Sequence, residues 1–578
     1  MRTTSKTIAV LGLLALVFLP GLRAIAAEEP SGLEEAVRTF ASEEMNASGV
    51  PGLVFVMVDA DGVVMAEAFG LADVTTGREM TIDTPLRMGS ISKPITAALG
   101  LELAAHGHLD LDVPVDTYLD VDLTDRYGPA STLRQLLQHR GGYPDAFVGS
   151  HHLEAEDALD LDEWVRNLTD RSIAPDVVAS YSSVGYTLAG AAMAGALDTQ
   201  FPEVAGSALF EPLGMSNATF QQSAPDDVAI GYAWGGGGFT PYPVDTPDLV
   251  PGAGLIATGN DIAWFLGALL AEGSPLSQST RDGLLTPAGP YPGLRAYTTG
   301  LTEWRYEDRS ALYHEGNGIG TSNRMTVLPD EGVGFYTAVN GESMVGTGDP
   351  SPQTLFMRDL HEMLVEEFYP GPSGLDAVPT ADGSGQNIEA RPAVYLSSRL
   401  DTGSVLRLEA LVSQFSVDAA ADGTVFYEGP DDVTYATRGG TGSYREAAWW
   451  ETTSFNLALV GASLLVVITG SVVAFRRTRG TVRWLAIATG GLITAFIVSL
   501  GYGMTTVEVM QLFTGLPTPI RMAQIAIAGA IVSATALVVT MVTQRRDTTT
   551  RVSAASSAVI LGTAALGIWA WAWQVLPI

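Results

Sequence analysis

The chain contains no cysteine. Disulfide scaffolds, thiol catalysis and cysteine-ligated zinc are therefore excluded. It is almost as poor in lysine: only Lys6 and Lys93 occur in 578 residues, and arginine fills the remaining basic positions. Basic residues are scarce altogether, 31 against 64 acidic ones, which leaves a formal net charge of −33. Nucleic acid is excluded as a partner, because its phosphates repel such a surface and no basic patch interrupts it. An acidic, lysine-poor surface suits high salt, which screens its self-repulsion.

Hydrophobic residues nevertheless make up 47% of the chain. Apolar and acidic residues must then be segregated, and the length calls for two or three modules. The N-terminus runs from Arg2 and Lys6 through an apolar stretch, Ile8 to Pro20, to Ala24-Ile25-Ala26 before Glu28. That order of charge, apolar core and small residues predicts a secretory signal over residues 1–27 and export of the domain C-terminal to it.

Four apolar stretches near 455–475, 484–504, 523–543 and 554–574 each have about the 20 residues a membrane-spanning helix needs. Arginines cluster between the first two (Arg476, Arg477, Arg479, Arg483) and between the last two (Arg545, Arg546, Arg551). The positive-inside rule puts both clusters in the cytoplasm and the segment before the first span outside, in agreement with the signal sequence. The expected location is a cell membrane crossed several times, with the large N-terminal domain on the extracytoplasmic side. No span carries an internal acid, lysine or histidine, so an anchor is favoured over a transporter.

Between 375 and 450, short apolar runs punctuated by Gly and Asp predict a small β-rich module. They include A-V-Y-L, S-V-L-R-L-E-A-L-V and G-T-V-F-Y. In the first 370 residues, Leu53–Val58 and Val63–Ala68 flank an Asp-Gly turn and predict a hairpin. Helical patterns cover Ser92–His106 and Leu133–His139, and R-M-T-V-L-P with G-V-G-F-Y-T-A-V suggests a later strand pair. Strands at both ends with helices between predict an α/β domain over 33–370 whose sheet is closed by distant segments.

Within that domain, Met88-Gly89-Ser90-Ile91-Ser92-Lys93-Pro94 enters a run of helix formers. Residues three apart share a helix face, so the Ser90 hydroxyl and the Lys93 ammonium can meet. A serine must lose its proton on attack, and a neighbouring lysine can take it or hold a second base by charge. One lysine surviving where arginine has replaced nearly all others suggests a task that guanidinium, always protonated, cannot perform. Tyr181, in A-S-Y-S-S-V-G-Y, is a phenol that a nearby cation would help to ionise. In Tyr313-His314-Glu315-Gly316-Asn317-Gly318, the glycines allow close backbone approach to a substrate.

Taken in order, these three segments resemble the serine β-lactamase and penicillin-binding-protein superfamily, in its class C β-lactamase, D-Ala-D-Ala carboxypeptidase and esterase branch. Ser90 and Lys93 match S-x-x-K; Tyr181 and Ser183 match Y-x-N with serine in place of asparagine; His314-Glu315-Gly316 matches K-T-G in an H-x-G form. The stretches Leu136–Asp145, Leu209–Phe220 and Pro251–Leu266 are also similar to this family. The resemblance implies an antiparallel sheet flanked by helices with an all-α subdomain, and acyl transfer through a serine ester. Ser90, Lys93 and Tyr181 would be catalytic. Ser183, His314, Gly316 and Asn317 would bind substrate, with the backbone N–H groups of Ser90 and Asn317 as oxyanion donors. Neither a metal nor an organic cofactor is implied; the partners are a small-molecule or peptide substrate and a lipid membrane. Ser183 offers a hydroxyl where the family has an amide, and His314 is charged only when protonated. Esterase or D-amino-acid peptidase activity is thereby favoured over recognition of a carboxylate, as in β-lactams. The rival reading is a non-hydrolytic ligand-binding or sensor protein on the same fold.

Overall fold

The structure is a computed structural model, which describes residues 32–576 apart from 146–147, 169, 235–237, 288–296, 307–308, 342–351, 370–392, 398–407, 409–413, 417–424, 429–432, 439–441, 507–510, 513–514 and 545–553. The expected signal segment 1–27, the start of the expected β-rich module and most of S-V-L-R-L-E-A-L-V lie outside the described residues.

The N-terminal domain is built on a seven-stranded antiparallel sheet. Helix α1 (Leu33–Ala47) leads into the hairpin of β1 (Gly52–Asp59) and β2 (Gly62–Asp73), followed by the short β3 (Arg78–Glu79). The remaining strands come from much later in the chain: β8 (Thr302–Tyr306), β9 (Arg309–Gly318), β10 (Thr321–Leu328) and β11 (Val333–Val339). The sheet order is β8-β9-β10-β11-β1-β2-β3, with Leu53 opposite Val339 where the distant segments join. The expected hairpin and strand pair thus form two parts of one sheet.

Strand β1 is buried on both faces, and its period of two assigns each residue to a layer. Phe55 and Met57 pack with Leu33 and Val37 of α1 and with Leu360 and Leu364 of α5 (Pro352–Phe368). Val54, Val56 and Val58 face the other way, into the main core with Ile262, Phe265 and Leu266 of α4 (Gly259–Leu270). His361 of α5 is fully buried and bonds through its two ring nitrogens to Thr326 (2.8 Å) and Thr337 (2.9 Å). Burial and the nearby Arg324 hold its pKa well below the ordinary histidine value.

Helices α2 (Ser92–Ala105) and α3 (Ser183–Leu197) lie in the same core. Both are buried on nearly every side, so neither has a polar face. Pairs of two-residue strands tie the intervening loops: β4 (Leu86–Arg87) pairs with β7 (Ile256–Ala257), and β5 (His151–His152) pairs with β6 (Thr246–Pro247).

A second antiparallel sheet comes next in the chain, formed by β12 (Val394–Ser397), β13 (Phe415–Ser416), β14 (Val425–Glu428), β15 (Thr434–Arg438) and β16 (Gly442–Glu446). The C-terminal part consists of α6 (Thr453–Arg477), α7 (Gly480–Thr506), α8 (Thr518–Gln544) and α9 (Ala554–Ala572). All four are long and apolar enough to cross a membrane. Small residues let them approach: a Cβ on Gly562 would meet the Ser463 carbonyl at 3.0 Å. Polar side chains are satisfied between helices, as where Trp569 Nε1 donates to Asn456 Oδ1 (2.8 Å) and Thr489 bonds Ser533 (2.9 Å).

Candidate active site

Strand β4 delivers the chain to a tight turn. Met88 donates its N–H to Leu255 O (2.9 Å), and Gly89–Ile91 form one turn of 3-10 helix before α2. Gly89 has φ +51°, a backbone state that favours glycine. Ser92 fixes the turn from below: its hydroxyl donates to Gly89 O (2.6 Å) and accepts from Leu255 N (2.9 Å). Ser90 is left partly exposed at the base of a cleft of about 270 Å³.

Lys93 lies one turn further on and is fully buried. Its Nζ donates to Ser90 Oγ (2.9 Å) and to Gly252 O (2.8 Å). The same nitrogen stands 4.8 Å from the centroid of the Tyr181 ring. The structure therefore brings Ser90, Lys93 and Tyr181 together from segments distant in the chain.

Tyr181 and Ser183 are held by two residues to which the sequence alone gives no role. The His139 ring stacks on Tyr181 with centroids 4.4 Å apart, and its Nδ1 accepts the Ser182 N–H (3.0 Å). Asp145 Oδ1 accepts the Ser183 N–H (2.5 Å). His139 has φ +57°, so the helical pattern expected through it stops at Leu137 and the chain turns there. The signal that could have identified the pair is their place in the L-L-Q-H-R-G-G-Y-P-D run, Leu136–Asp145.

The third wall is β9. Strand β8 ends where Thr302 meets Tyr313, so the edge from His314 to Gly318 faces the Ser90 turn instead of another strand. The approach is close: a Cβ on Gly316 would lie 2.0 Å from Met88 O, and one on Gly89 would lie 2.6 Å from Asn317 O. Asn323 joins the two sides, since its Nδ2 donates to Arg87 O (2.9 Å) and Gly316 O (3.2 Å) while its Oδ1 accepts from Tyr336 (2.8 Å). Ser183, His314 and Asn317 all line the cleft.

His314 is a buried neutral imidazole. Burial first, and then the charge of Lys93, pull its pKa from 6.5 down to about 3. Its Nδ1 lies 2.8 Å from Glu315 O, which can only accept, so Nδ1 carries the proton and Nε2 is an acceptor. That Nε2 is buried without a hydrogen-bond partner among the described residues, as is Asn317 Oδ1.

The low pKa has a consequence for stability. An unfolded chain gains a proton on His314 as the pH falls through about 6.5, whereas the folded protein resists until about 3. The contribution is complete above 6.5 and is lost as the pH drops below it, by up to ~1.4 kcal/mol per pH unit. His361 acts in the same direction. The thermal midpoint of the full chain in detergent should fall between pH 7 and 5, and His314→Gln should flatten that slope.

Three further cleft residues carry no signal in the sequence: Arg87, His151 and Asp245. The Asp245 carboxylate bonds His151 Nδ1 and pairs with Arg87 Nε at 3.5 Å. Burial raises the Asp245 pKa, but His151 and Arg87 outweigh it and hold the group below the ordinary carboxylate value. His151 and Asp245 sit in or beside two-residue strands, whose pairing leaves no periodic signal. Among the described residues, no cluster of three or more metal-ligating side chains occurs.

Comparison with known proteins agrees with this geometry. The family model described as Beta-lactamase matches residues 37–352. Esterase EstB of Burkholderia gladioli is 28% identical over 323 residues, covering 49% of this chain and 80% of the esterase. A D-aminopeptidase of Brucella anthropi is 28% identical over 288 residues, covering 47% of this chain and 53% of the aminopeptidase, so the match spans about half that relative's length. Among solved structures, that of SurE superposes with a TM-score of 0.51 at 22% identity, over 71% of this chain and 92% of SurE, a likeness of fold.

Proposed function

We propose, since this chain belongs to the Beta-lactamase family of serine hydrolases, that Ser90 is the nucleophile of an acyl-transfer site held at the outer face of a membrane by α6–α9. The observation that carries the reading is the buried Lys93 side-chain nitrogen 2.9 Å from Ser90 Oγ, with the Tyr181 ring centroid 4.8 Å from the same nitrogen. In the forward step Ser90 Oγ bonds to the substrate carbonyl carbon and the carbonyl π pair moves onto oxygen. The Ser90 proton passes to Lys93 in its amine form, or to a Tyr181 phenolate that the Lys93 ammonium stabilises. The N–H groups of Ser90 and Asn317 are the donors for the oxyanion, worth on the order of 3 kcal/mol each in related sites. Collapse breaks the bond to the leaving group, which takes the proton. Water then attacks the Ser90 ester and gives a proton to the same base; the Oγ–carbon bond breaks, the acyl group leaves with the water's hydroxyl, and the water's proton passes from the base to Ser90 Oγ.

A neutral His314 gives a substrate carboxylate no charge partner at that position, which favours an ester, and the two unpaired acceptors suit the donors of an amine-bearing amide. The extracytoplasmic placement is supported by the arginines at the α6–α7 turn and after α8, the ends that the positive-inside rule puts in the cytoplasm. Purified full chain in vesicles, assayed with 4-nitrophenyl butyrate, D-alanine 4-nitroanilide and nitrocefin, tests the specificity. The ester is expected to be hydrolysed fastest, and nitrocefin at least about a hundredfold more slowly in kcat/KM. Nitrocefin turnover equal to that of the ester contradicts the substrate reading. A stoichiometric burst without turnover on any of the three supports a sensor instead.

A further inference from the structure

The catalytic domain meets the helical bundle beside the cleft. Gly149, two residues before the cleft residue His151, donates its backbone N–H to Leu512 O (2.9 Å). A Cβ on Gly149 would stand 3.9 Å from the Cα of Gly515. Leu512 and Gly515 belong to the connection between α7 and α8. Short connections make α6–α9 alternate in direction, so this connection lies at the end of the bundle where α6 begins, the end nearest the catalytic domain in the chain.

The second sheet supports the same arrangement. Tyr435 of β15 packs on Ile173, Val177 and Val178, in the run that leads to Tyr181, while Leu408, in the segment before β13, packs into the bundle core. Rings exposed at this end of the bundle include Trp449, Trp450, Tyr502 and Trp571. Such rings mark the membrane–water boundary.

Chain geometry bounds the distance. His151 is two residues from Gly149, and Gly515 is three from Thr518, the first residue of α8. At no more than ~3.6 Å per residue, and with the contact added, the His151 side of the cleft lies within roughly 25 Å of the start of α8. Headgroups occupy about 5–8 Å of that height.

We infer that the cleft takes its substrate from the membrane surface: the scissile ester or amide is carried by a membrane-anchored amphiphile whose reactive carbonyl stands just above the headgroups while its tail stays in the bilayer. This rests on the reading of Ser90 as nucleophile and of α6–α9 as membrane spans. The bundle then positions the active site at a height as well as tethering it. The connection at Leu512 and Gly515 is the contact that sets this height at the cleft rim.

The test uses full chain in phosphatidylglycerol vesicles and three umbelliferyl butyrate probes. One is freely soluble; two carry a hexadecyl anchor on the umbelliferone, through spacers of about 10 Å and about 60 Å, shorter and longer than the bound set by the chain. At equal mole fraction in the bilayer, the short-spaced ester is expected to be cleaved about tenfold faster than the long-spaced one, whose reactive group is diluted through a larger volume. Leu512→Asp should lower the short-spacer rate about tenfold and leave soluble-probe cleavage unchanged. Faster or equal cleavage of the long-spaced ester overturns the inference, as does a short-spacer rate unchanged by Leu512→Asp. No cleavage of the soluble probe, with no fluorophosphonate labelling of Ser90, overturns the underlying reading instead.

Discussion

Replacing Lys93 by methionine is expected to lower kcat/KM by about 10³–10⁴-fold, the scale of a lost acid–base group. Methionine keeps a straight apolar stem of similar volume in a pocket that admits no solvent, so packing changes little. What disappears is the amine, with its bonds to Ser90 Oγ and Gly252 O. Leaving the Gly252 carbonyl unpaired costs on the order of 1–3 kcal/mol. The kinetic loss corresponds to about 4–5.5 kcal/mol in the barrier, so activity should fall further than stability does. Lys93→Arg should be as inactive, because guanidinium is larger and stays protonated. Ester hydrolysis by Lys93→Met within tenfold of the wild type would remove Lys93 from the mechanism.

The second large effect is structural. In Gly316→Ala the new methyl carbon would lie 2.0 Å from Met88 O and 2.9 Å from Ile91 N, both backbone atoms of the turn that holds Ser90. No side-chain rotation relieves that contact, so β9 or the turn must move. Overpacking of this kind costs about 1–3 kcal/mol or more. A shift of about 1 Å at the nucleophile is worth roughly a hundredfold in rate. The expected result is a lowered thermal midpoint together with a kcat reduced at least about a hundredfold. Gly206→Ala is the control: it lies in a helical run with open space around it, and its stability should not fall. Equal midpoints and rates for Gly316→Ala and the wild type would mean that β9 does not support the turn as described.

Much of the scaffold was legible because its signals are local. The Asp-Gly hairpin needs only its turn and the apolar runs that flank it, and β1 and β2 occur where these placed them. The four apolar helices are read from length and composition, and each extends a few residues beyond or short of its expected bounds. The Ser90–Lys93 pair was legible from helix spacing, but its meeting with Tyr181 and His314 was legible only through the family resemblance. No periodicity links positions 90, 181 and 314; what joins them is the burial of α2 and α3 against a sheet closed by β9–β11.

The parts that escaped are those set by non-local pairing. Arg87, His151 and Asp245 reach the cleft through strands of two residues, too short for any pattern. His139 lies just past an apparent helical run, yet its positive φ makes it a stacking partner for Tyr181. His314 could be placed in the site from sequence, but its charge state could not, because that depends on burial and on its distance from Lys93. Tertiary contact decided each of these.

The central claim, that Ser90 is the acylated residue, is tested most directly by treating the full chain with a fluorophosphonate and locating the adduct by peptide mass. One adduct per chain is expected, on the peptide that contains Ser90, with none formed in Ser90→Ala of unchanged thermal midpoint. An adduct on another residue, or undiminished labelling and ester hydrolysis in folded Ser90→Ala, would contradict the account.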